Sequence, residues 1–130
     1  MLAQNEYPLL LSGEERVQWN FTLERPPVTA TGICIVGKTP SGVVGTVVNE
    51  FGIQMFDFTA EGDKVKVSNV FPQMNKWYIR RVLRNDLRVL VADQPVKLGK
   101  RVLQVNLPDS ISLLDKKYRI TYRFERLTQQ

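Results

Sequence analysis

Among the 130 residues there is no histidine and one cysteine, Cys34. Without an imidazole the chain can build neither a Ser/His/Asp or Cys/His triad nor a histidine-ligated metal site. A lone cysteine likewise excludes an intrachain disulfide and a thiolate zinc cage. Apolar runs are only a few residues long, far short of the roughly 20 that a membrane-spanning helix needs. Glycines occur at Gly37, Gly42 and Gly45, yet no GxxxxGK[ST] or GxGxxG pattern opens a helix, so a phosphate cradle of that kind lacks its context. Repeats and low-complexity tracts are also missing. Tyr7-Pro8-Leu9-Leu10-Leu11 is too short for the apolar core of a secretion signal. These gaps remove most hydrolytic, metal and nucleotide chemistry, and the expectation is a protein that is not an enzyme and carries no cofactor.

What remains is an ordinary globular composition, 43% apolar and 24% charged, in a length that suits a single domain over residues 1–130. Charge is unevenly spread. Residues 1–72 hold five basic groups against eight acids, whereas residues 73–130 hold thirteen against five. A positive half of this kind suits an anionic partner, either acidic lipid headgroups or nucleic acid, and also fits a plain solvated surface.

Val17, Trp19, Phe21 and Leu23 alternate with polar residues, the period-two signature of a strand with one buried face. Pro26-Pro27 ends it, because proline cannot donate to a ladder. Further strands are expected over about 28–36, 43–48, 53–60 and 64–71. The turns between them lie at Gly37 to Gly42, at Asn49 to Gly52 and at Glu61-Gly62-Asp63. Such short connections favour antiparallel pairing. After Pro72 the period becomes helical, with Met74, Trp77, Tyr78, Val82, Leu87, Leu90 and Val91 near one stripe, predicting a helix over about 73–92. Two last strands are expected over about 97–106 and 118–127, with a loop or one helical turn from 108 to 117. The fold class predicted is mainly β with one long helix. A curved antiparallel sheet, or unclosed β-barrel, would carry that helix on its concave face.

Three features could carry chemistry. Asp57 alternates with apolar neighbours and could face inward, but no second acid has a spacing that pairs with it, so a structural role is favoured. Cys34 lies in an apolar strand without a neighbouring cation or imidazole, which makes it packing rather than a nucleophile. Lys76, Arg80, Arg84 and Arg88 recur every four residues along the helix. They form a basic line that could meet an anionic membrane surface or a phosphate backbone, or else simply stay solvated.

The run Thr31-Gly32-Ile33-Cys34-Ile35-Val36 leads to a turn ending at Ser41-Gly42 and then an apolar strand. Asn49-Glu50-Phe51-Gly52-Ile53-Gln54 and a hairpin at Glu61-Gly62-Asp63 follow. This order resembles the LolA/LolB superfamily of outer-membrane lipoprotein receptors and carriers, and more closely its small uncharacterised Gram-negative envelope lipoproteins. The resemblance implies an unclosed barrel plugged by helix and a cavity for acyl chains. It also implies residence in the periplasm or on the inner leaflet of the outer membrane, given a leader outside this sequence, or in the cytoplasm without one.

The leading expectation is therefore a non-enzymatic lipid- or lipoprotein-binding envelope protein. Trp19, Phe21, Ile33, Ile35, Phe56, Phe58, Trp77, Tyr122 and Phe124 would line its groove or simply form its core, which a chain of this length favours. Phe51 is placed by the resemblance where the receptor's exposed turn residue contacts membrane or acyl cargo. Gly52 beside it permits the tight reversal that would put Phe51 at a tip. The alternatives are a basic β-module binding nucleic acid, which would need aromatics such as Tyr122 to face outward, and a structural subunit that pairs through a sheet edge. Alternation argues against the first of these, because Tyr122 shares a face with Ile120.

Overall fold

The period-two segment after Arg16 forms strand β1 (Arg16–Arg25), and the pair Pro26-Pro27 turns it directly into β2 (Val28–Thr39). Then come β3 (Gly42–Asn49), β4 (Gln54–Glu61) and β5 (Lys64–Ser68), each joined to the last by a tight turn. A 3-10 turn at Pro72–Met74 precedes helix α1 (Trp77–Val91), and β6 (Arg101–Asn106), β7 (Ser110–Asp115) and β8 (Ile120–Arg126) follow. This computed structural model describes residues 8–10, 14–92, 96–106 and 108–127.

The strands form one antiparallel sheet in the order β5-β4-β3-β2-β1-β8-β7-β6. It curls into an open half-barrel whose edges, β5 and β6, do not pair. The predicted class is thus the observed one, with α1 against the concave face, where Leu83, Leu87 and Leu90 join the sheet's buried side chains. Register brings the inward residues into rows: Trp19 faces Cys34, Cys34 faces Val47, and Val47 faces Phe56. On the other side Phe21 faces Phe124, and Phe124 faces Ile111. Gly45 opposes Phe58, and a Cβ on it would lie 2.1 Å from that ring. Only glycine lets the phenyl group lie flat across β3 at this point.

Three expectations change. The segment 108–117 is not a loop but contains β7, whose Ile111 and Leu113 point inward between Ser110, Ser112 and Leu114. Tyr118, expected in the last strand, stands in the turn before β8 and is exposed. The helix begins four residues later than predicted, because Lys76 is extended (φ −115°, ψ 143°) and Pro72 supports only a 3-10 turn. Leu9 and Leu10 are core residues. Leu9 accepts the Trp19 indole N–H at 3.1 Å and donates its own N–H to Leu90. Tyr7 and Leu11, beside them in sequence, lie outside the described residues.

Candidate functional site

Inward strand positions predicted as groove lining are close-packed core. Trp19, Phe21, Phe56, Phe58, Tyr122 and Phe124 are each at most 1% exposed. Their rings meet edge-on or tilted, with Phe21 and Phe124 at 5.2 Å and Trp19 and Phe124 at 6.4 Å. Aromatic pairs favour such edge and offset geometry. A water-filled or ligand-sized space against these rings would leave them accessible, so they are corrected from groove to core.

Ile33 and Ile35 are corrected as well. In β2 the inward set is Cys34 and Val36, both fully buried, which puts Ile33 and Ile35 on the convex face. Within β2 the stretch Ile33–Val36 is uniformly apolar, so alternation does not set its phase, and the register with β1 does. Tyr122 points inward too, so the outward aromatic that the nucleic-acid alternative needs is not supplied by this residue.

Trp77 and Tyr78 were expected against the sheet, yet they are 67% and 52% exposed. The buried stripe of α1 runs through Leu83, Asp86, Leu87 and Leu90, and the first-turn aromatics fall off that stripe onto the solvent side. Their rings pack on each other at 5.7 Å in an edge-on pair. Val82 is half-buried at the flank.

Apolar surface gathers instead at one rim of the half-barrel. Between the start of β2, the β3–β4 turn and the segment 71–74 lies a cleft of about 300 Å³, in which Ala30, Ile53, Met55, Phe71 and Met74 alternate with polar residues such as Thr31, Glu50 and Gln73. Its wall is braced by backbone, since the Phe71 N–H donates to the Met55 carbonyl and the Glu50 N–H to that of Thr31. The β3–β4 turn is itself rigid. Asn49 Oδ1 accepts the N–H groups of both Phe51 and Ile53 at 2.9 Å, and Gly52 takes φ +81°, a region that disfavours side chains. Phe51 stands at the tip of this turn, 79% exposed, with Ile53 46% exposed beside it.

The basic line on the helix is broken. Lys76 precedes α1, Arg80 hydrogen bonds to Asn75 Oδ1, and Arg88 is paired with Asp63 at 3.1 Å, tying the helix to the β4–β5 turn. Lys76 and Arg84 are exposed, and of the four only Arg88 makes an ion pair among the described residues.

Neither Asp57 nor Cys34 is activated. Asp57 faces outward. Partial burial acts to raise its carboxyl, but donors from Thr46 (2.5 Å), Gln54 (2.6 Å) and Asn69 (2.7 Å) outweigh this and hold it below the usual range. Burial pushes the Cys34 thiol up to about 12, leaving it protonated and inert at neutral pH.

A polar cluster that the sequence reading did not find lies under α1. Asp86, fully buried, accepts Arg101 Nε and the Tyr122 hydroxyl, both at 2.7 Å. Burial first, and the neighbouring Asp115 carboxyl second, push Asp86 up to about 7 against the opposing pull of Arg101 and Tyr122. Burial and the nearby Asp86 raise the Tyr122 hydroxyl well above its ordinary value. Asp115 is buried as well, with Oδ1 accepting the N–H groups of Lys117 and Tyr118 and its carboxyl adjoining that of Asp86. In sequence Asp86 is the helix's one acid among four arginines, which reads as surface charge. Its position at i−1 to Leu87 on the buried stripe was the available signal.

No family model matches the chain, and no curated protein matches it.

Proposed function

We propose that this protein is a non-enzymatic binder of lipid or lipoprotein acyl chains in the cell envelope, and that it meets apolar cargo or membrane at the rim of the half-barrel. The observation that carries the reading is Phe51, held 79% exposed on a hydrogen-bonded turn beside a cleft with a partly apolar lining. An aromatic so placed contributes nothing to the core and costs solubility, and such patches mark interaction sites. The resemblance of 31–91 to the LolA/LolB superfamily supports the same position for acyl contact. Trp77 and Tyr78, three and four residues beyond the cleft residue Met74, add rings of the kind that settle at membrane interfaces. With the concave face filled by core, the cleft at about 300 Å³ is at the small end of ligand sites. It accommodates the end of a chain rather than a whole lipid.

The test is Phe51→Glu, assayed by co-sedimentation with phospholipid vesicles and by saturable binding of a fluorescent fatty acid. Both should fall about tenfold, while stability stays within about 0.5 kcal/mol, as for a surface change. Unchanged binding in a folded variant would overturn the proposal.

A further inference from the structure

A second cleft, sharing no residue with the first, opens between α1 and the ends of β6 and β7. It measures about 370 Å³. Arg81 and Asn85, one turn apart on α1, face Lys100 and Arg101 at the start of β6 and Lys117 and Tyr118 in the β7–β8 turn. Of these four cations, Arg101 is already engaged by Asp86 and by the Leu98 carbonyl at 3.2 Å. Arg81, Lys100 and Lys117 make no ion pair among the described residues.

Three like charges drawn from three separate elements repel one another, and their convergence is relieved by an anion between them. The turn that supplies two lining residues is fixed: Asp115 Oδ1 holds the N–H groups of Lys117 and Tyr118 at 3.0 and 3.2 Å, and Lys117 Nζ sits 5.3 Å from the Tyr118 ring centre. Asp115 also lines the cleft, but its carboxyl adjoins that of Asp86, so the acids beneath the site number two against four cations. Charge therefore favours an anion. The Asn85 amide supplies a neutral donor, and Tyr118 forms an aromatic wall.

We propose that this cleft binds a tetrahedral oxyanion of the phosphate or sulfate class, carried by a small molecule or by an anionic lipid headgroup. Guanidinium and ammonium groups form charge-assisted hydrogen bonds with such oxygens. The site is independent of the acyl contact, and it uses none of the helix positions Lys76, Arg80, Arg84 and Arg88.

The experiment titrates the folded protein with inorganic phosphate and, separately, with sulfate, following amide NMR shifts. It also measures co-sedimentation with phosphatidylglycerol and with phosphatidylcholine vesicles. Saturable shifts should centre on Arg81, Lys100 and Lys117. The double variant Arg81→Gln/Lys117→Gln removes two exposed charges and should weaken binding about tenfold or more, a difference of about 1.4 kcal/mol. The control Lys76→Gln/Arg84→Gln removes the same charge from outside the cleft and should change binding less than twofold. Cleft-dependent binding of free phosphate or sulfate assigns a small-molecule ligand. Cleft-dependent binding to phosphatidylglycerol vesicles alone assigns a headgroup. Phe51→Glu should leave the phosphate titration unchanged, which separates this site from the acyl contact. The proposal is overturned if no probe gives saturable binding, or if both charge variants lose affinity equally.

Discussion

Asp86 and Asp115 are the buried charged residues of the described interior. The Asp86 carboxyl, at 0% exposure beside the second buried acid, is held by one arginine and one phenol. Its folded value of about 7 lies above the ordinary 3.8. Between about pH 4 and 7 the folded protein therefore keeps a proton that the unfolded chain has already released. This group's contribution to stability is complete below about pH 4 and is lost as pH rises towards 7. Urea unfolding should thus show a decline from pH 5 to pH 8, by as much as a few kcal/mol. Asp86→Asn, whose amide oxygen can still accept from Arg101 Nε while its NH2 group donates to the Tyr122 hydroxyl oxygen, should flatten that slope. A wild-type slope equal to that of the variant would show that Asp86 does not hold the proton. At this scale the sequence was legible for Phe51 and Cys34, whose exposure and burial follow from a turn and an apolar strand. Asp86 was not, because its partners Arg101 and Tyr122 lie 15 and 36 residues away.

The hairpins from β1 to β5 were readable because alternation and turn residues are local. Both α1 and β7 were read less well. Counting apolar residues put Trp77 and Tyr78 into the buried stripe, whereas the sheet receives Leu83, Leu87 and Leu90. Trp77→Ala should accordingly change stability by no more than about 0.5 kcal/mol, while Leu87→Ala should cost about 2–5 kcal/mol. Chemical denaturation of the two variants checks the helix's rotation directly. Within the sheet, Gly45→Ala would drive a methyl group into the Phe58 ring. A loss of about 1–3 kcal/mol is expected for such overpacking, and a thermal melt no lower than wild type would contradict the close approach. In β7 the two inward residues Ile111 and Leu113 make too short an alternation to stand out, and pairing on both sides, with β6 and β8, makes it a strand.

For the molecule as a whole, one antiparallel sheet around one helix makes a single layered core, and Cys34 reports on its opening. The thiol is 0% exposed and protonated, so labelling by a disulfide reagent at pH 8 should be slow in the native protein. It should accelerate with urea in step with unfolding; fast labelling without denaturant would place Cys34 outside the core. The sequence by itself determined the lack of histidine and the lone cysteine, the β-rich class, the turn that lifts Phe51 and the basic excess after residue 72. Each of these depends on composition or on neighbours a few positions apart. Only the tertiary structure decided that the barrel aromatics pack against each other and that Ile33 and Ile35 face outward. It alone brought Arg81, Lys100 and Lys117 around one cleft and placed Asp86 beneath them. Those outcomes depend on strand register, helix rotation and the curl of the sheet, which are set by contacts between residues far apart in the chain.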